Sequence, residues 1–348
     1  MKVAGSEHMH KRYYLISAYS IAHFLVDFAC AFLMFRSITQ APDWQLCVLI
    51  YNFCAFAMQM PLGILADKWD RNFLVAITGC LLVGAAYGLA HISIAAVIVA
   101  GIGNALFHIG GGIDVLNVSE KKIAALGVFV SPGAFGIYFG TMLGKGDGLS
   151  SLLILLALVT AAGFIFIAYR AQGGTYPRNA VFSLGNAVSP QMIFAAACLF
   201  LVVCLRSHVG LMLDFPWKSA GYWGIALICT VVLGKAAGGF VADRFGIKMT
   251  FFFSLAMAAL LFLFPEIPPL GIAAVLLFNM TMPLTLFIMA KIFPGAKGFS
   301  FGLLTFGLFL GFVPAYAGAP TPSAAWPFAL AAVFSLALLA LGLRNAKI

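Results

Sequence analysis

The chain has 348 residues, of which 63% are hydrophobic and 9% charged, with a mean hydropathy of +1.05. Soluble domains average roughly 45–50% apolar residues, so this composition excludes a water-soluble globular protein and implies an integral membrane protein. A formal charge of +9 would suit nucleic acid only as a basic face or run, whereas here the basic residues stand singly between apolar stretches.

The opening residues, MKVAGSEHMHKRYY, lead into a full apolar span with no small-residue cleavage pattern, so no removable signal peptide is expected. A helical span needs about 20 mostly apolar residues. Twelve such segments are predicted, at 13–36, 44–66, 71–90, 92–113, 122–144, 149–169, 190–213, 217–242, 248–265, 269–291, 297–317 and 323–343. Continuous runs such as SLLILLALVTAAGFIFIAY do not show the alternation of a membrane barrel. The expected fold class is therefore an all-α membrane protein with twelve transmembrane helices, and its many glycines suit close helix packing in lipid. The seven cysteines lie in or beside apolar stretches without metal-ligand spacing, which argues against a disulfide framework or a zinc site. No metal and no cofactor is expected.

An ionisable group inside a span is costly and is read as a functional candidate, weighed against structural pairing or snorkelling. The first span carries His23 and Asp27 four apart, on one helix face near mid-membrane, with Ser20 on the same stripe. A carboxylate beside a histidine can exchange a proton near neutral pH, so Asp27 and His23 are the proton-coupling candidates, with a purely structural pair or a contact to a substrate cation as the other readings. In the second span Asn52 and Gln59 lie seven apart, again on one stripe. The fourth span places Asn104 and His108 four apart, ahead of Gly110, Gly111 and Gly112, a face that can approach a helix or ligand closely. Arg206 in the seventh span stays charged at any relevant pH and needs an anionic partner, either Asp27 across a cavity or the substrate. His208, two residues on, points to a different face. In the eighth span Lys235 sits about two turns from the mouth and either snorkels or lines the substrate path. Asn279, with Thr281 and Thr285, gives the tenth span polarity around Pro283. Interhelical hydrogen bonding would account for the uncharged groups equally well.

Counting turns in order puts fifteen basic residues on the side of both termini, Lys2, Lys121 and Lys347 among them, against Arg36, Lys145 and Lys218 on the other side. By the positive-inside rule both termini are cytoplasmic. The charge concentrated in GILADKWDRNF, residues 63–73, then falls in a cytoplasmic turn. A related stretch, GGFVADRFGIK, recurs at 238–248, with Asp243 standing 176 positions after Asp67. Each copy lies between the second and third spans of its own half, as a parallel duplication requires. The expected organisation is two six-helix bundles, 1–171 and 190–348, joined by a Gly-, Pro- and Ser-containing cytoplasmic linker at 172–189.

The doubled G-x-x-A-D-[KR] turn in a twelve-span chain resembles the signature of major facilitator superfamily transporters. The second copy fits it better, continuing with Gly246 and Lys248, whereas the first has Asp70 where a glycine is usual. GVFVSPGAFGIYFG in the fifth span is similar to the Gly-Pro motif of the superfamily's exporters, with Ser131 replacing the usual glycine before Pro132. GIGNALFHIGGG in the fourth is similar to a pattern of fosmidomycin-resistance-type exporters. The resemblance implies a cytoplasmic gate latch built from Gly63, Asp67, Arg71, Gly239, Asp243 and Arg244, with topology anchoring as the plainer alternative. A carboxylate at a helix start can bind the free amides of its own or a neighbouring helix.

These readings predict a secondary transporter in the inner membrane that moves a small organic molecule, anionic or zwitterionic, by alternating access with proton-coupled export. A proton-coupled importer of an organic anion, or a receptor or lipid scramblase on the same scaffold, are the alternatives. The chain lacks a nucleotide-binding Gly-rich loop, an H-E-x-x-H motif and a G-x-S-x-G elbow, so no enzyme is expected. The expected partners are the substrate, protons and the lipid bilayer, with the protein monomeric and no nucleic acid involved.

Overall fold

In lipid every backbone polar group must be satisfied within the chain, and helices do this segment by segment. The computed structural model describes residues 2–119, 122–146, 149–173, 176–184, 188–322 and 324–346, with side chains from residue 10 on. Lys121, Lys347 and the side chain of Lys2 lie outside the described residues, as do parts of the expected linker.

Among the described residues twelve apolar helices follow one another: α1 (Lys2–Arg36), α2 (Trp44–Trp69), α3 (Asn72–Gly88), α4 (Ser93–Ser119), α5 (Ala124–Gly144), α6 (Ser151–Gln172), α7 (Pro190–Met212), α8 (Trp223–Phe245), α9 (Ile247–Leu261), α10 (Pro268–Ile292), α11 (Lys297–Tyr316) and α12 (Trp326–Ala346). Ten are long and apolar enough to cross a membrane, and the two shorter ones, α3 and α9, are the third helix of each half. The antiparallel succession gathers both motif copies, at the ends of α2 and α8, on one face, called here the latch face. Arg36, Lys145 and Lys218 mark the opposite face.

Three helices are interrupted inside the bundles. A π-helical turn at Phe53–Ala57 widens α2, α5 breaks at Ser131 ahead of Pro132, and α10 breaks at Met280 between Asn279 and Thr281. The α5 break has a clear cause, because Pro132 has no N–H to give the carbonyl of Val128. Ser20 Oγ of α1 reaches that carbonyl instead at 3.3 Å, and Ser131 Oγ bonds the carbonyl of Gly127.

The two halves meet where α2 packs on α11 and α5 packs on α8. Close to the latch face Gly63 lies against Gly298, and a Cβ on either would strike the other's carbonyl oxygen. The first seam continues through Thr305 Oγ1, which donates to the carbonyl of Phe56 at 3.2 Å, to the edge-on contact of Phe53 with Phe309. Forcing a side chain into such a crossing costs about 1–3 kcal/mol. Gly63→Val is therefore expected to lower the melting temperature of the purified protein. Gly163→Val on α6, where an added Cβ meets nothing within 4 Å, should leave it unchanged.

Candidate functional site

Inside the first bundle α1 and α4 bring four polar side chains together, each no more than 9% exposed: His23, Asp27, Asn104 and His108. His23 Nε2 lies 3.1 Å from Asp27 Oδ2 and 2.9 Å from His108 Nε2, which is 3.7 Å from Asp27 Oδ1. Asn104 Nδ2 donates to Asp27 Oδ1 at 3.0 Å. The kink in α5 reaches this cluster, because His23 Nδ1 bonds the carbonyl of Phe129 at 2.7 Å, while His108 Nδ1 bonds that of Asn104 at 2.9 Å. Gly133, just past the break, seals the site: a Cβ there would collide with both His23 Nε2 and Asp27 Oδ2.

These bonds assign the tautomers. A carbonyl oxygen only accepts, so both Nδ1 atoms carry hydrogen. If both rings were neutral, two bare nitrogen lone pairs would face each other at 2.9 Å, which is repulsive. One additional proton turns the contact into a hydrogen bond, and the Asp27 carboxylate neutralises the imidazolium so formed. The three side chains also offer possible metal-ligand atoms within 4.8 Å of one another. Two imidazole nitrogens on a tetrahedral zinc stand about 3.3 Å apart, given Zn–N of about 2.0–2.1 Å, so the shorter separation suits a shared proton better.

The second bundle carries the opposite charge. Arg206 of α7 and Lys235 of α8 line a cavity of about 360 Å³ together with Asn279 of α10. Arg206 is buried and donates to Thr285 Oγ1 at 3.4 Å. Among the described residues neither Arg206 nor Lys235 has a salt-bridge partner. Lys235 is half-buried and lines the cavity, with Arg206 and Asp27 near enough to act on its charge. Asn52 and Gln59 do not join this site: their amides bond the carbonyls of Val48 and Ala55 on their own helix. His208 also stays apart, with Nδ1 buried and unpartnered.

At the latch face each motif carboxylate binds the other half. Asp67 accepts from the backbone N–H of Gly298 at 2.7 Å and of Phe299 at 2.9 Å, the first amides of α11. Asp243 accepts from Ile123 at 2.7 Å and Ala124 at 3.0 Å, at the start of α5. Both are anions on the positive end of a helix dipole. Gly239 plays the part of Gly63, since a Cβ there would press on Ile123 and Ala124. Arg71 and Arg244 are exposed and, among the described residues, add no bond across the seam. Asp70 has a left-handed φ of 49°, and Gly246, at the same place in the second copy, one of 86°. Aspartate tolerates the left-handed region better than most residues, but the two turns differ in ψ, 40° at Asp70 against 156° at Gly246, a conformation that needs glycine.

Asp114 is a site residue that sequence reasoning missed. It is 0% exposed in α4 and accepts from Tyr19 Oη at 2.6 Å, from Asn72 Nδ2 at 2.8 Å and from Tyr176 of the linker. Asn179, also of the linker, gives its backbone N–H to Asp70 and its side-chain amide to the carbonyl of Ala66, and its Oδ1 accepts from Asn72 and Asn117. Lys297 Nζ donates to Asn117 Oδ1 at 2.8 Å, and Ser183 N to the carbonyl of Gly295 at 3.2 Å. The linker is thus a strap tied to both halves across the latch. The one signal was an acid inside an apolar stretch, hidden because the predicted span stopped at residue 113.

No protein-family model matches the sequence, and no curated protein matches it. Solved structures do. The E. coli fucose:proton symporter aligns with a TM-score of 0.63 at 14% identity, over 94% of this chain and 98% of that one. A major facilitator superfamily transporter, FucP, in the outward conformation gives 0.64 at 15%, over 94% and 99%. A bacterial homologue of the iron transporter ferroportin in an outward-facing state gives 0.59 at 13%, over 97% and 98%. The chain therefore has the major facilitator fold, two six-helix bundles side by side.

Removing a side chain that satisfies several buried groups costs about 1–3 kcal/mol per group left unpaired. Asn179→Ala is expected to loosen the strap, seen as faster chymotrypsin cleavage beside Tyr176 and Phe182. Arg178→Ala, at an exposed position, should cut at the wild-type rate.

Proposed function

We propose that the protein is a secondary active transporter that carries a small organic anion across the cytoplasmic membrane by alternating access, coupled to a proton held by His23, Asp27 and His108. The reading rests on one juxtaposition: a buried cluster suited to one extra proton in the first bundle, facing Arg206 and Lys235, without carboxylate partners, in the second. Buried charge without a partner is expensive, so the second site gains most from an anionic ligand. The latch face is the cytoplasmic one on the positive-inside count, with both termini on that side, and the protein works as a monomer. Capping of α11 by Asp67 and of α5 by Asp243 then closes the cytoplasmic gate.

Electrostatics sets the sense of coupling. With its extra proton the cluster is neutral, and without it negative. Unit charges about 10 Å apart interact by roughly 1.5 kcal/mol at an effective dielectric near 20, enough for about tenfold. A bound anion therefore raises the cluster's proton affinity, and by reciprocity the proton raises anion affinity, which favours symport. Export by antiport, the expectation from the fourth and fifth spans, requires the two to compete instead.

Proteoliposomes loaded with a pH dye and challenged with organic acids separate these outcomes. Symport is expected: anion influx should acidify the lumen, and an inward proton gradient should accelerate uptake at least several-fold. Lumenal alkalinisation on anion influx would establish antiport. Asp27→Asn should abolish the response to the gradient while leaving equilibrium anion exchange. If Asp27→Asn responds to the gradient like the wild type, the cluster is not the coupling site. Specific anion binding without any flux would favour a receptor.

A further inference from the structure

We infer that the anion carries an apolar body: the occupant of the second-bundle cavity is a small organic acid whose carboxylate lies between Arg206 and Lys235 and whose hydrocarbon part fills the space among Phe215, Phe262 and Phe278. This deepens the reading above and rests on it.

Every charged residue lining the cavity is a cation: Arg206, Lys218 and Lys235. The nearby carboxylate, Asp214, is exposed and lies 3.7 Å from Lys218 Nζ, which leaves Arg206 and Lys235 to hold the ligand's charge. The uncharged polar side chains at the cavity are few, and each already spends a donor on a backbone carbonyl of the protein. The Asn279 amide donates to the carbonyl of Val275 at 2.8 Å, the Ser207 hydroxyl to that of Leu308 at 2.7 Å, and the Thr285 hydroxyl to that of Met282 at 2.9 Å while accepting from Arg206. A sugar or a compact hydrophilic anion would exchange water for a wall that returns few hydrogen bonds, which is unfavourable for each group left unmet.

The rest of the wall is aromatic and aliphatic. Phe262 and Phe278 meet edge to face with centroids 5.7 Å apart, and Phe215 stacks on Trp217 at 4.6 Å with the planes 15° apart. Such a surface rewards hydrocarbon. The volume of about 360 Å³ lies near the lower end of the roughly 300–1,000 Å³ of small-molecule sites, which suits an acid with a ring or a short chain.

The test is binding to the full-length protein in nanodiscs, followed by tryptophan fluorescence, with acetate, butyrate, hexanoate, hexanamide and inorganic phosphate as probes. Carboxylate affinity is expected to rise about fourfold per methylene from acetate to hexanoate, with hexanamide and phosphate much weaker. Lys235→Gln and Arg206→Gln should each weaken hexanoate at least tenfold. Unliganded melting temperatures check folding, and the lysine variant keeps the test valid if loss of the buried arginine prevents folding. If acetate or phosphate binds as tightly as hexanoate, the apolar body is wrong and the anion reading stands. Hexanamide binding equal to hexanoate, or hexanoate binding unchanged in both folded variants, would overturn the anion reading itself. Absence of any carboxylate binding to folded wild type would overturn both.

Discussion

A carboxylate of one bundle closing the open end of a helix in the other is the interaction on which this conformation depends. A helix N-terminus leaves backbone N–H groups unpaired, and at the start of α11 and of α5 those amides face the opposite half rather than their own. Asp67 and Asp243 satisfy them across the seam. Each needs a glycine one turn earlier, Gly63 or Gly239, because only a missing side chain lets the partner helix come near enough. The doubled motif thereby has a physical reading: the glycine sets the approach, the acid makes the bond, and the following cation stays exposed. The two latches differ in strength, since Asp67 is buried and Asp243 exposed, and screened surface contacts contribute less. The α2–α11 seam is the firmer of the two, and the linker strap ties down that same corner through Asn179 and Lys297.

A second dependence runs from a single proline to the candidate proton site. Pro132 breaks α5 and frees carbonyl acceptors that α1 then uses, through Ser20 at Val128 and His23 at Phe129. The bond to Phe129 commits His23 Nδ1 as a donor, which turns Nε2 toward His108 and Asp27. A backbone irregularity in one helix therefore selects a tautomer in another. Lining a polar site is also where non-helical backbone is tolerated at membrane depth.

Much of the helical framework was legible because twelve apolar stretches of spanning length leave little else for the chain to form. The pairs His23–Asp27 and Asn104–His108 were each visible from a spacing of four, which places both members on one face. Their convergence into one cluster was not visible, because spacing within a helix says nothing about which helix lies opposite. Spacing also suggested a stripe from Asn52 to Gln59, but the π-helical turn between them rotates the register, and both amides fold back on their own helix. Asp114 was lost to a boundary drawn too early. The linker read as a Gly- and Ser-containing connector, and its binding role depends on partners far away in sequence: Tyr176 on Asp114 and Asn179 on Asp70. Composition can mark a connector but cannot say what it is tied to.

The cluster and the cationic cavity sit in different bundles, and this division bears on mechanism. His23, Asp27, Asn104 and His108, with the carbonyl of Phe129 that fixes His23, all belong to α1, α4 and α5. Rocking one rigid bundle against the other leaves every distance among them unchanged. On the coupling proposed above, motion therefore acts on the cluster through what faces it across the seam, namely Lys235, Arg206 and an anion bound between them. In the reading proposed above the anion and the proton are taken up together, and neutralising both bundles lowers the cost of closing the cavity over them. Coupling on this proposed basis needs no moving part beyond the seam that Asp67 and Asp243 bridge.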